Sequence, residues 1–366
     1  MPPRTAPRTD HLEFAAAVDR RLARHGASHV WSPHSVGTVL ALLAAGASGR
    51  TLDELRSLLG TGPEELLPAL DAAVEPEEGL DLAAFNGLYV PADLPLLPRF
   101  AERVGARPGA EVAGADFAGD AEGVRRRVNG KVSDTTRGLI GELLPRGVPG
   151  KDTRLLLVNA LWAKVAWTDP FDPAYTRDRA FHAPGGRRKV PTMVRTGRCP
   201  FARAHGWGMV TLEGHHGLSL DVLLPDEPGA APLTGGELAA LHRGRSVQEV
   251  ALSLPRFSVE TDTSLVEPLA SLGVRRMATD EAEFDGIGPE PLKVDEILHR
   301  SVLKVDERGA EGAAATAAMM LTAAAVPRRP VAFTVDRPFV FALRRRGALL
   351  FLGRVTDPVD PGPSRP

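Results

Sequence analysis

The residues able to do chemistry in this chain do not gather into a catalytic set. Its one cysteine, Cys199 in GRCPF, has no local nucleophile signature and reads as an inert thiol. His215 and His216 are adjacent, so a strand would point them apart, a poor arrangement for a metal pair. Arg125, Arg126 and Arg127, at the expected start of a helix running toward LIGELLP (139–145), point in different helical directions and read as a solvated face. The sequence contains no G-x-S-x-G, no H-E-x-x-H, no P-loop and no dinucleotide fingerprint. No enzymatic activity, metal or cofactor is therefore expected.

The stretch with the most specific physical content is Glu307 to Pro330, ERGAEGAAATAAMMLTAAAVPRRP. From Ala310 to Val326 it has no proline, no aromatic residue and one charge, Glu311. Nine of the residues from 310 to 325 are alanine, the best helix former. Against a helix, Gly309 and Gly312 bracket its first turn, at about 1 kcal/mol each relative to alanine. Small residues on every side also leave no apolar stripe. ILHRSVLKV (297–305) and VAFTV (331–335) flank the stretch with β-branched or alternating character, giving strand, long loop, strand. At period 2, Ala310, Gly312, Ala314, Thr316, Ala318 and Met320 share one face, and Glu311, Ala313, Ala315, Ala317 and Met319 share the other. The charge is confined to one parity, so the segment could wait in solvent and then enter a sheet without burying it. Composition alone leaves an alanine-rich helix or a flexible linker open.

The elements around this stretch agree with one large domain. The chain has 366 residues, 43% of them hydrophobic, with no linker or internal repeat; the packed core is expected over roughly 10–358, with 359–366 a disordered tail. A net charge of −2 makes no general case for nucleic acid or a membrane surface as partner. The opening MPPRTAPRTDHLEF places prolines and charges where a signal peptide needs an apolar core. No run reaches about 18 apolar residues, and a lone cysteine permits a reducing compartment. A cytoplasmic monomer is the expectation, with secretion by an unrecognised route left open. Residues 10–25 have helical spacing. Ser32 can cap a helix with Pro33 in its first turn, and Thr51 with Glu54 has capping-box spacing for the next. LDLAAFNGLYVP (80–91), RLLLVNALWAKVAWTDPF (154–171), KVPTMVRTG (189–197), MVTLEGHHGLSLDVLLPDE (209–227) and VALSLPRFSVE (250–260) read as strands with turns, and LVEPLASLGV (265–274) as a helix ended by Gly273.

VDERGAEGAAAT (305–316), followed by FTVDRPFVFAL (333–343) and LLFLGRVTDP (349–358), resembles the serpins, the serine protease inhibitor superfamily, in the manner of a bacterial, intracellular member. The resemblance implies an α+β fold, helices packed around three β-sheets with a long exposed reactive loop near the C-terminus. It makes Glu307, Gly309, Ala310, Glu311, Gly312, Ala313, Ala314, Ala315 and Thr316 the hinge of that loop. Ser32 and Ser35 match the family's Ser-Pro-x-Ser element under the main sheet, with Trp31 where phenylalanine is usual. Asn159 falls at the sheet centre, Trp167 where the loop enters, and His299 over the opening. Ser32 read alone is a plain N-cap, and Asn159, Trp167 and His299 read alone are core residues. AEFDGI (282–287) departs from a family turn that usually has Ser after Asp-Phe. Residues 61–80 are acidic where glycosaminoglycan-dependent relatives are basic, so no such cofactor is expected.

The implied function is inhibition by suicide cleavage, in which the nucleophile belongs to a partner serine protease. The loop is cut, the acyl-enzyme is carried along, and the hinge side enters the main sheet as a new strand. Counting from Glu307 by family spacing puts the reactive bond at Ala323–Ala324, with one residue of slack toward Thr322 or Ala325. Alanine there suits elastase-like or subtilisin-like enzymes. The alternative is a non-inhibitory serpin, a chaperone or carrier. Such members carry proline or charge in the hinge; here the inward parity has neither.

Overall fold

The computed structural model describes residues 7–23, 26–310 and 329–362. Its centre is the strand Leu156–Ala166, LLVNALWAKVA, whose first eight residues are all buried, as an apolar run covered on both faces requires. It lies in the main sheet in the order Phe257–Ser264, Glu296–Val305, Leu156–Ala166, Asp81–Pro91, Ala110–Ala115. The central strand is parallel to Glu296–Val305 and antiparallel to Asp81–Pro91. A nine-stranded sheet runs from His29–Trp31 through Ala348–Val355, Phe339–Arg345, Leu218–Pro225, Trp207–Glu213, Gly186–Ala204 and Ser246–Pro255 to Val331–Thr334, with Arg177–Ala183 hairpinned onto Gly186–Ala204. The third sheet is small: Gly309–Ala310 paired antiparallel with the far end of the central strand. With eight α-helices among the described residues, this is the expected α+β arrangement.

Alternation along the central strand divides the core. Leu156, Val158 and Ala160 pack with Phe85 and Tyr89 against Val124, Val128 and Val132 of the helix Phe117–Thr135. Leu157, Leu161 and Val165 face the larger core. That core is centred on the helix Pro33–Gly46, buried along nearly its whole length, as its uniform apolarity demands. Ser32 caps it by accepting from the Ser35 amide at 3.0 Å, with Pro33 in the first turn.

Three sequence readings need correction. The helix after it begins at Gly49, behind Ser48, so Thr51 and Glu54 do not form its capping box. Thr51 instead exchanges hydrogen bonds with Glu283, and Glu54 accepts from the amides of Arg275 and Arg276. Tertiary partners outcompeted the local cap. A capping box among the described residues is at Thr234 and Glu237. Arg125–Arg127 lie in mid-helix rather than at a helix start. Packing also continues past Pro358: the Ser258 amide donates to Val359 O at 2.7 Å, and Arg256 pairs with Asp360 at 3.0 Å.

Candidate functional site

The main sheet is closed at one end of its central pair and open at the other. Glu296–Arg300 pairs with Leu156–Ala160, and then the ladder stops. From Leu161 to Lys164 that edge of the central strand has no ladder partner among the described residues. Pairing resumes at Val165 and Ala166, now with Ala310 and Gly309. The unpaired length is about 13 Å at 3.3 Å per residue.

A buried polar cluster sits where the ladder stops. His299 is in register with Asn159, and Ser32, Ser35, Asn159 and His299 are all fully buried. His299 Nε2 accepts the Ser32 amide proton at 2.9 Å, which requires a neutral ring protonated at Nδ1. Ser301 Oγ lies 2.9 Å from the same nitrogen and can donate to it. Burial lowers the His299 pKa to about 4, consistent with a neutral ring. Ser32 Oγ donates to Ser35 Oγ at 3.0 Å while accepting the Ser35 amide. Asn159 Nδ2 donates to Asn86 Oδ1 at 3.2 Å, whereas Asn159 Oδ1 and His299 Nδ1 are buried without a partner. Hydrogen bonds thus tie the sheet to the helix beneath it at the point where the ladder stops.

Residues 306–310 are held at the other end of the gap. Glu307 is 1% exposed; its carboxylate accepts from Thr176 Oγ1 at 2.7 Å and lies 3.6 Å from Arg256. Its carbonyl accepts from the Phe171 amide at 2.9 Å. Trp167 donates its amide to Arg308 O at 3.1 Å and its indole Nε1–H to Asp306 O at 3.2 Å. Asp306 closes a tight turn by accepting from the amides of Arg308 and Gly309. A side chain at Gly309 would put Cβ 1.7 Å from Val165 O, so this approach of two backbones requires glycine. Glu311, Gly312, Ala313, Ala314, Ala315, Thr316, Ala323 and Ala324 lie outside the described residues.

The structure therefore brings Ser32, Ser35, Asn159 and His299 together in one cluster and Trp167, Glu307, Gly309 and Ala310 in a second, at the two ends of the opening. Sequence reasoning missed Asn86, Ser301, Thr176 and Arg256. Asn86, a lone polar residue in LAAFNGLYV, was a readable signal; Thr176 and Arg256 reach Glu307 from segments distant in sequence and were not. Cys199 is buried and its thiol pKa is raised by that burial, in keeping with an inert group. Among the described residues no group of His, Cys, Asp and Glu could hold a metal. No helix among them is long and apolar enough to cross a membrane.

Comparison with known proteins places this geometry. The family model described as "Serpin (serine protease inhibitor)" matches residues 11–358. Serpin-Z1C of Triticum aestivum is 33% identical, covering 95% of this chain and 94% of its own length. The leukocyte elastase inhibitor of Bos taurus is 32% identical, covering 95% and 98%. The crystal structure of Serpin48 from the insect Tenebrio molitor superposes with a TM-score of 0.83 at 27% identity, covering 95% of this chain and 97% of that one. A main sheet left unpaired along part of its central strand, with Gly309–Ala310 paired beyond the gap, and a family model and relatives that match over nearly the whole chain make it a member of the serpin family.

Proposed function

We propose that the protein is an irreversible suicide-substrate inhibitor of serine proteases with small primary pockets, elastase-like or subtilisin-like. The observation that carries this reading is the unpaired edge between Leu161 and Lys164, with Gly309–Ala310 already paired beyond it. The protease serine attacks the bond after Ala323, releasing the new amine at Ala324 and leaving an acyl ester at Ala323. Residues 310 onward then fill the open edge as an added strand. Roughly a dozen residues at about 3.3 Å each move the ester by some tens of Å. That separation takes the protease serine away from its histidine and oxyanion hole, and deacylation stops. Trapping requires insertion to outrun hydrolysis, and the uncharged parity of Ala310, Gly312, Ala314 and Thr316 favours fast insertion. Ser32, Ser35, Asn159 and His299 act as the joint that must part; Trp167 and Glu307 hold the hinge until it does. The partner is the protease alone, held covalently by a monomeric inhibitor without cofactor, glycosaminoglycan, nucleic acid or membrane. The cytoplasm is the compartment we assign, and the bovine leukocyte elastase inhibitor supports a protease partner.

The test is incubation with a panel of serine proteases, with SDS gels and mass spectrometry of the released C-terminal peptide. The expected result is an SDS-stable complex near 1:1 with an elastase-like or subtilisin-like enzyme, and a peptide beginning at Ala324. Ala323→Arg should redirect inhibition toward trypsin. Cleavage by every small-pocket enzyme without a stable complex would instead support the non-inhibitory reading.

A further inference from the structure

The residues past Pro358, VDPGPSRP, carry no periodic pattern and lie beyond the residues that the family model matches, 11–358. The first of them are nonetheless packed. Arg188 holds the Asp357 carboxylate and the Pro358 carbonyl. The Ser258 amide donates to Val359 O at 2.7 Å, an isolated antiparallel bridge on Phe257–Ser264, the outer strand of the main sheet. Asp360 Oδ1 accepts the Gly362 amide at 3.0 Å and so closes a turn. Its other oxygen, Oδ2, accepts from Arg256 Nη2 at 3.0 Å. The earlier contacts are enough to seat the segment on the sheet edge; the last one reaches further.

Arg256 comes just before the rung Phe257–Val305, and Glu307 lies just past Val305, so the end of the sheet brings the two together. Arg256 Nη1 is 3.6 Å from Glu307 Oε1 while Nη2 serves Asp360. Among the described residues these carboxylates are the partners of the guanidinium, and Glu307 has no other cation in ion-pair range. Side-chain exposure falls inward along the chain of charges, from 35% for Asp360 to 12% for Arg256 and 2% for Glu307. Asp360 therefore covers the solvent side of the one cation that faces a buried carboxylate. A buried charge left without its partner is costly, and an arginine side chain gives up conformational freedom to be held. A second carboxylate on the other arm of the fork fixes the guanidinium plane, so less freedom remains to be lost in facing Glu307. Because the two acids use different arms, they do not compete for one N–H.

We propose that Asp360 is a positioning residue for residues 306–310. It acts through Arg256, holding the guanidinium against the Glu307 carboxylate, so that a segment outside the matched residues sets how firmly this stretch is retained at the end of the gap. The Phe171 amide, which donates to Glu307 O, and the Trp167 amide, which donates to Arg308 O, report that retention directly. The consequence for inhibition rests on the reading above: a stretch released early would let the open edge fill before any protease arrives.

The test is site-resolved hydrogen exchange on the full chain, comparing the parent with Asp360→Asn and Asp360→Glu, each alone and in a Glu307→Gln background. Asp360→Asn should speed exchange of the Phe171 and Trp167 amides about threefold to tenfold, the loss expected of one partly exposed ion pair, while Val359 O keeps the Ser258 amide protected. Asp360→Glu, which keeps the charge, should stay within about twofold of the parent. In the Glu307→Gln background Asp360→Asn should change neither amide. Unchanged or slower exchange in Asp360→Asn would overturn the proposal, slower exchange because the two acids would then be rivals for Arg256. So would an increase that the Glu307→Gln background does not remove, or one accompanied by lost protection at Ser258, because Asp360 would then only anchor its own segment. Inhibition is read separately: with an active protease, Asp360→Asn should lose inhibitory activity on storage sooner than the parent. A chain that traps no protease at all would sink the inhibitory reading and leave the exchange result standing.

Discussion

At the scale of single residues, the joint between sheet and helix is the most informative feature. His299→Leu would remove the acceptor for the Ser32 amide and leave a buried donor unpaired, at a cost of about 1–3 kcal/mol. The expected outcome is a lower denaturant midpoint and, if the joint parts for insertion as proposed, faster loss of the proposed inhibitory activity on storage. An unchanged midpoint would mean that the contact contributes nothing. Four buried histidines, His11, His34, His242 and His299, have pKa values lowered to about 4, burial being the largest cause for each. Between that value and the ordinary 6.5 the unfolded chain binds protons that the folded chain does not. Stability is therefore lost as pH falls from 6.5 toward 4, by up to about 1.4 kcal/mol per pH unit for each such histidine. Urea titrations at pH 7 and pH 5 should show the lower midpoint at pH 5, and His299→Gln should flatten the dependence.

At the scale of elements, the hinge pairing makes a sharper statement than composition does. Ala310 is in register with Val165, a fully buried core residue, and Gly309 with Ala166, which is half-buried. The register supports the parity argument for residues that follow. Ala310→Arg should leave the loop cleavable but hinder insertion, because a charge would have to enter the sheet. The stoichiometry of inhibition should then rise severalfold, while Glu311→Arg changes it little. Equal damage from both would contradict the alternation. Gly309→Val cannot keep the observed approach to Val165 O, so it should release the hinge from the central strand. Increased amide exchange at Trp167, whose amide donates to Arg308 O, would report that release.

At the scale of the whole molecule, the open edge implies a native state above the one it could reach. Cleavage near Ala323 followed by insertion would add about a dozen ladder residues, each contributing roughly 0.5–1.5 kcal/mol net. The melting temperature should then rise by tens of degrees, on a scaling of about 2–4 °C per kcal/mol extended to this larger chain. A melt before and after cleavage, with the cut confirmed by mass, is the measurement. No rise would remove the insertion step and with it the inhibitory reading.

Much of this architecture was legible in the chain because its signals are local. Period-2 and period-3.6 patterns mark the strands and most helices, Ser32–Pro33 marks a helix start, and the hinge, alanine run and closing Arg-Pro-Phe mark the family by their spacing. Other features depend on partners far away along the chain, and only the folded structure decided them. Thr51 and Glu54 have capping-box spacing, yet Glu283 and the amides of Arg275 and Arg276 claim them. Glu307 reads as one more hinge charge until Arg256 and Thr176 close over it. The pairing of the central strand with Glu296–Val305 stops after Ala160, which no local pattern encodes, because either strand could carry the ladder further by its own composition. The sequence by itself determined which segments prefer to be extended or helical and which residues are polar in an apolar context. The tertiary structure decided which edge stays unpaired and which buried polar groups find partners, since both are settled by what packs beside them.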